Sequence, residues 1–339
     1  MTDFQSIFPD IRETGETPLR QAQLVMLRML KIIDYICRKH DLRYWLCSGT
    51  LLGAVRHQGF IPWDDDLDIC MLREDYNRFI QIAPLEFPTD IFLQTQETDP
   101  SYDYLPLPCK VRDKNSLIIS EGMENQKYQQ GLFIDIFPTD RYHTGGLSFA
   151  MEKCMKSYFR FITKCLDAKL GKDRSLKNKL ISSFEPIFKY LTIIYKKMIQ
   201  KHINKNLQLS NDECLIGHGM DTPWRRYFKY DEIFPLEDMK FEDAIVKVPH
   251  NANAYLTQLY GENYMTPPPM KDRIQKHALR LEPILKKRKK SYDFFLPLFI
   301  YTLNISYKKT QLYTRYLFHI RLGSLIKRPN HSKFQSIIH

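Results

Sequence analysis

Residues 61–70, IPWDDDLDIC, set four aspartates, Asp64, Asp65, Asp66 and Asp68, against Trp63, Leu67, Ile69 and Cys70. Carboxylates this close repel one another, the more so as the local dielectric falls. A solvated acidic loop has no use for such apolar neighbours. From Asp66 to Leu72 polar and apolar residues alternate, which predicts a strand over 66–72. Asp64, Asp66 and Asp68 would share one face, and Leu67 and Ile69 would face the core. Carboxylates fixed on one face suit a divalent cation, which needs oxygens converging on a point. A calcium loop of the EF-hand type fits the spacing of Asp64, Asp66, Asp68 and Asp75, but it requires glycine where Ile69 stands.

One strand supplies too few oxygens, so a further carboxylate is expected from a neighbour. GLFIDIFPTD (131–140) offers Asp135, alone among Leu132, Phe133, Ile134, Ile136 and Phe137. An isolated acid in such a strand is costly unless paired or ligated. The alternation predicts a strand closed by Pro138.

Elsewhere, residues 18–40 carry Leu24, Leu27, Leu30, Ile33 and Ile36 at helical spacing. LRYWLCSG (42–49) suggests a short strand, residues 50–59 a short helix or turn, and 73–87 a helix stopping near Pro84. Residues 90–96 and 107–120 have strand character, 149–206 is mostly helical, and 232–261 mixes strands with a short helix. TPPP at 266–269 closes this part, and 271–339 is basic and helix-prone.

Charge is unevenly spread. Residues 1–150 hold 15 basic and 22 acidic side chains, whereas 151–339 hold 35 and 17. A basic half beside an acidic one points to a polyanionic partner. No basic motif with interleaved aromatics of the nucleic-acid-binding kind is present, which argues against nucleic acid. The seven cysteines are scattered without C-x-x-C or zinc-like spacing, as expected for reduced, buried thiols in a cytosolic protein. The N-terminal segment has acids and no apolar core, unlike a signal peptide. No apolar run reaches the roughly 18 residues of a membrane span, so membrane contact is expected to be peripheral.

SGTLLGAVRHQGFIPWDDDLDI (48–69) resembles the LicD family of the nucleotidyltransferase superfamily, which includes the fukutin-like proteins. The resemblance continues in 235–269. It implies an α+β (α/β) fold, with a nucleotidyltransferase-like mixed sheet flanked by helices. The implied layout is an N-terminal lead (1–24), a catalytic domain (25–270) with a helical insertion at about 149–206, and a basic helical C-terminal segment (271–339). The family's glycine turn, Asp-hydrophobic-Asp strand and third aspartate match Gly49–Thr50, Asp66-Leu67-Asp68 and Asp135, with Thr50 where serine is usual.

The resemblance also implies a chemistry: transfer of a phospho-alcohol, phosphocholine first, from a CDP-linked donor to a sugar hydroxyl of a cell-surface glycan, with release of CMP. Lipopolysaccharide, teichoic acid and capsule are the glycans in question, free or lipid-linked. Asp66, Asp68 and Asp135 would hold Mg2+ (or Mn2+), with Asp64 as a further ligand, and Asp135 could accept the attacking hydroxyl's proton. The Gly49–Thr50 turn would approach a phosphate. Arg56, Lys110 and Arg112, the last two alternating in PCKVRD, would supply cations. Trp63, Tyr104 and Tyr264 would stack on a base or cage a quaternary ammonium. The basic part, 284–339, would hold the enzyme on the anionic inner membrane face from the cytoplasmic side. Ribitol phosphate, glycerol phosphate or nucleotidyl transfer, and a basic nucleic-acid-binding protein, are the alternatives.

Overall fold

A computed structural model describes residues 3–102, 109–120, 122–167, 184–275 and 277–285. After one turn, α1 (Phe4–Ile7), comes α2 (Pro18–Lys39). Thr17 accepts the amide of Arg20, and Pro18 occupies the first turn, where no donor is needed. The stripe Leu24, Leu27, Leu30, Ile33 and Ile36 is buried, as its spacing predicts. Then follow β1 (Tyr44–Leu46), α3 (Ser48–His57), β2 (Asp68–Leu72), α4 (Arg73–Glu86), β3 (Ile91–Gln94), β4 (Lys110–Asp113), β5 (Leu117–Ser120) and β6 (Phe133–His143). Two long helices, α5 (Gly146–Asp167) and α6 (Glu185–Asn206), lead to β7 (Cys214–His218) and β8 (Tyr227–Lys229). The described part ends with α7 (Tyr230–Ile233), the hairpin β9 (Glu237–Phe241) and β10 (Ala244–Val248), α8 (Ala252–Tyr260) and β11 (Ala278–Glu282).

The sheet runs β1-β2-β6-β4-β3, and β7 joins β6 with β8 outside it. The β2–β6 pair is parallel and the other pairs are antiparallel. The class is therefore the mixed α+β architecture expected from the sequence. Two smaller ladders, β9–β10 and β5–β11, stand apart from the sheet. In the N-terminal lead, Arg12 pairs with Asp113 at 2.7 Å and donates to the Pro283 carbonyl at 2.7 Å. The lead is thus tied to β4 and to the residue after β11.

Several boundaries differ from expectation. β2 starts at Asp68, not Asp66, because its pairing with β6 begins at Asp68 and its pairing with β1 only at Ile69. Asp64 and Asp66 therefore precede the strand. Gly49 and Thr50 lie in the first turn of α3, not in a turn before it, because Leu51, Leu52 and Ala54 bury that helix in the core. α4 continues through Pro84 to Glu86. Buried Phe79 and Ala83 hold it, and the Phe87 amide closes on the Ala83 carbonyl at 2.9 Å. β6 likewise continues through Pro138. Its pairing with β4 ends at Asp135 and its pairing with β7 begins at Thr139, so Pro138 stands where the neighbour changes and a missing N–H is tolerated. The C-terminal segment, as far as it is described, holds a strand where helix was expected, since residues 278–282 (ALRLE) alternate and pair with β5. Tyr104 and residues 286–339, the bulk of the expected membrane-binding segment, lie outside the described residues.

Candidate active site

Three neighbouring strands bring charged residues into one row. Asp68, the first residue of β2, is in register with Asp135 of β6, and Asp135 is in register with Lys110 of β4. Residues paired in register project to the same face. Lys110 makes an ion pair with Asp135, and its ammonium lies 3.6 Å from the Phe133 ring centroid. Arg112, two residues along β4, projects from the same face. Its guanidinium donates to the Gln94 side chain and to the Gly131 carbonyl, at 2.7 Å for the latter, and faces Phe133 and Tyr128. Gly131 is required for close approach: a Cβ there would stand 1.7 Å from the Asp113 carbonyl oxygen.

The four consecutive-looking aspartates divide their work. Asp65 is buried and accepts the amides of His277 and Ala278, at 3.2 and 2.8 Å for its Oδ2. This anchors the strand β11 and delivers the His277 ring to Asp66, 3.1 Å from its Oδ2. Asp68 donates its own amide to the Thr50 hydroxyl at 2.8 Å. Thr50 is buried and therefore holds the start of β2. A Cβ on Gly49 would come within 3.0 Å of Asp64 Oδ2, so the glycine leaves room for that carboxylate.

A cavity of about 390 Å³ opens on this row. Asp66 and Asp135 line it on the acidic side, with Lys110, Arg112 and His277 as cations. Tyr102, Tyr128, Phe133 and Trp224 give it aromatic walls. Of the residues singled out in the sequence, Asp66, Asp135, Lys110 and Arg112 therefore meet here, with Asp68 in register beside them. Arg56 instead donates to the Tyr264 carbonyl at 3.2 Å. Trp63 lies under the guanidinium of Arg273 at 5.1 Å, and the hydroxyl of Tyr264 is bonded to Asn253. A larger, more open hollow of about 780 Å³ near the end of α2 has a single carboxylate, Asp41, among its lining side chains.

The electrostatics are those of an acid cluster short of cations. Burial, then the charge of Asp66, pushes Asp64 up to about 7. Asp68 is pushed well above the ordinary carboxylate value by burial, with Asp66 and Asp135 adding to it. Burial also raises Asp135, against the pull of Lys110. Asp66 behaves oppositely: burial would raise it, but the hydrogen bond and charge of His277 hold it down. The same bond lifts His277 to about 9. Such an all-oxygen, mutually repelling donor set suits a hard divalent ion. In the geometry present, no three His, Cys, Asp or Glu side chains among the described residues gather closely enough to hold one. Lys110 and His277 take up Asp135 and Asp66 instead.

Sequence reasoning missed His277, Trp224, Tyr102 and Tyr128. His277 stands over 200 residues from its partner, and the only local trace of the link is buried Asp65.

Residues 41–160 match the family model described as the LicD/FKTN/FKRP nucleotidyltransferase domain. The chain is 26% identical over 272 residues to the lipopolysaccharide cholinephosphotransferase LicD of Haemophilus influenzae, covering 76% of this chain and 96% of that protein. It is 34% identical over 131 residues to an uncharacterized protein of Rickettsia prowazekii, covering 37% of this chain and 48% of that protein. A stretch of 44 residues is 48% identical to the human ribitol 5-phosphate transferase FKRP, 13% of this chain and 9% of that protein.

Proposed function

Because this chain carries a LicD-family nucleotidyltransferase domain, we propose that it is a transferase moving a phospho-alcohol from a CDP-linked donor to a sugar hydroxyl of a cell-surface glycan. Phosphocholine is the alcohol phosphate we favour, lipopolysaccharide the acceptor class, and CMP the leaving product. The observation that carries the reading is the single cavity in which Asp66 and Asp135 face Lys110, Arg112 and aromatic walls. A charged diphosphate and an organic cation can both find partners there. The relatives' names support the reaction class, one being a cholinephosphotransferase and another a ribitol 5-phosphate transferase.

Within that cavity each side chain has a task. Arg112, braced by Gln94 and the Gly131 carbonyl, presents a fixed guanidinium edge to phosphate oxygens. Lys110 adds a point charge beside Asp135. The rings of Tyr102, Tyr128 and Trp224 suit a quaternary ammonium, whose charge is attracted to aromatic faces. The sugar hydroxyl attacks the phosphorus that bears the alcohol. The bond from that phosphorus to the CMP oxygen breaks, and CMP leaves with the electron pair. The hydroxyl proton goes to the Asp135 carboxylate. Asp66, Asp68 and Asp135, with Asp64 adjoining, would hold Mg2+ or Mn2+ if they drew together from the geometry present, and the ion would supply positive charge for the diphosphate.

The test is incubation with magnesium, a glycan acceptor and, in turn, CDP-choline, CDP-ribitol, CDP-glycerol or CDP-ethanolamine, scoring CMP. Fastest release from CDP-choline is expected, with Asp66→Asn and Asp68→Asn as blanks. Release of pyrophosphate from a nucleoside triphosphate, and none of CMP, would replace this reading by nucleotidyl transfer.

A further inference from the structure

The helices between β6 and β7 bury one side and leave the opposite side apolar. On α5, Leu147, Met151, Tyr158 and Phe161 are exposed, from 43% to 88%. Their spacing keeps them on one face, opposite buried Lys156 and Phe159. On α6, Ile187, Tyr190, Ile194 and Met198 repeat the arrangement opposite buried Thr192, Tyr195 and Ile199. The two helices pack together, with Phe159 stacked on Tyr195 at 5.1 Å. Apolar side chains gathered outward in this number mark a surface that meets a partner.

The charge around them says which partner. Lys153, Arg160 and Lys164 on α5, and Lys197, Lys201 and Lys205 on α6, are exposed beside the apolar stripes. Among the described side chains of the two helices the one acid, Glu152, is buried and bonded to His143, His202 and Asn206. A second copy of this surface would bring like charge against like. A nucleic acid would match the charge but leave the apolar stripes in water. An anionic lipid surface answers both, because headgroups meet the lysines and the acyl boundary receives the apolar side chains. No helix among the described residues is long and apolar enough to cross a membrane, so these helices would lie on it.

We propose that the α5–α6 pair is a docking face for an anionic bilayer. The proposal goes beyond the transferase reading and does not depend on it, since no residue of this face lines the cavity.

The experiment is co-sedimentation of the full chain with phosphatidylcholine vesicles, with and without phosphatidylglycerol. Binding should need phosphatidylglycerol. The triple variant Tyr190→Glu, Ile194→Glu, Met198→Glu should weaken it at least ~10-fold, with thermal midpoint and CMP release from soluble donor unchanged. In a second variant, Tyr190→Trp, lipids brominated on their acyl chains should quench more tryptophan emission than in the unaltered protein. Any of three results would overturn the proposal: no binding by the unaltered chain, full binding by the triple variant, or loss by that variant of a self-associated species with vesicle binding intact. The second would assign binding to another surface, residues 286–339 included, and the third would make a second copy the occupant. Absence of CMP release would count against the transferase reading and leave the vesicle result standing.

Discussion

Asp135 and Asp140 stand five residues apart on β6, an odd spacing in an unbroken register, and so project to opposite faces. Each sits in a buried cluster of charge, and the clusters differ. Around Asp140, Arg73 donates to both its oxygens at 2.7 and 3.0 Å and to Asp221 at 2.7 Å, and the Met220 amide adds a bond at 2.7 Å. Lys156 nearby donates to the carbonyls of His218, Gly219 and Thr222. Burial pushes Asp221 up, but Arg73 pulls it below the ordinary carboxylate value. Around Asp135, four carboxylates share Lys110 and His277, the nearby Arg112 being bonded to Gln94 and the Gly131 carbonyl instead, and burial with mutual repulsion drives Asp64 and Asp68 upward. Burial is common to both places, so the supply of cations makes the difference. A satisfied cluster holds the fold together; an undersupplied one is kept for what it binds.

The largest expected effect breaks or makes this contrast. Asp66→Asn and Asp68→Asn should lower CMP release roughly 100- to 1,000-fold, while the thermal midpoint of Asp68→Asn holds or rises as repulsion is relieved. Calorimetry beside the activity assay checks both, and an unfolded Asp68→Asn protein would make the two clusters alike. On the other face, Arg73→Met should cost about 3–5 kcal/mol in denaturant unfolding, because it leaves Asp140 and Asp221 buried without their cation. Turnover per folded molecule should change little.

What the sequence disclosed, and what it hid, follows from the range of the interactions. Asp135 was legible because a lone acid among five apolar strand residues demands an explanation close by. Lys110 and Arg112 were legible because alternation along a strand fixes a shared face. The start of β2 differs because Asp66-Leu67-Asp68 continues the alternation beyond the first residue that β6 and β1 pair. The turn at Gly49–Thr50 is what the family resemblance implies, and the burial of Leu51 and Leu52 instead carries both residues into α3. His277 was beyond reach: its position depends on Asp65 accepting two amides from a distant strand, and neither end carries a local pattern for that pairing. The aromatic walls come from separate elements, so no short window of sequence shows them together.

Thr50→Val sharpens the contrast at smaller scale. It removes the oxygen that accepts the Asp68 amide and leaves a donor without a partner, at a cost of about 1–3 kcal/mol. If Asp68 acts from a held position, turnover should fall by more than the stability loss explains, with the midpoint and the rate measured on the same preparation. Thr50→Ser keeps the hydroxyl and should restore both.

The smallest effect belongs to His218, which is in register with Thr139 and so projects from the Asp135 face of β6, while its carbonyl accepts from Lys156 of the satisfied cluster. Its ring packs on Phe137 and Trp224 at 5.5 and 6.1 Å, and its Nδ1 is buried without a hydrogen-bond partner. Burial, with the charges of Lys156 and Arg226, lowers it from 6.5 to about 3. The unfolded chain therefore takes up this proton as the pH falls through 6.5, while the folded chain resists until about 3. Stability from this group is complete above the unfolded value and is lost progressively through that window, by ~2 kcal/mol at pH 5. His218→Gln should flatten the slope of stability against pH between 6.5 and 4 and leave the slope above pH 7 unchanged. Denaturant midpoints of the two proteins across that range measure it. Parallel curves would mean that the ring is protonated within the fold, and that the Asp135 face is less short of cations than its buried carboxylates indicate.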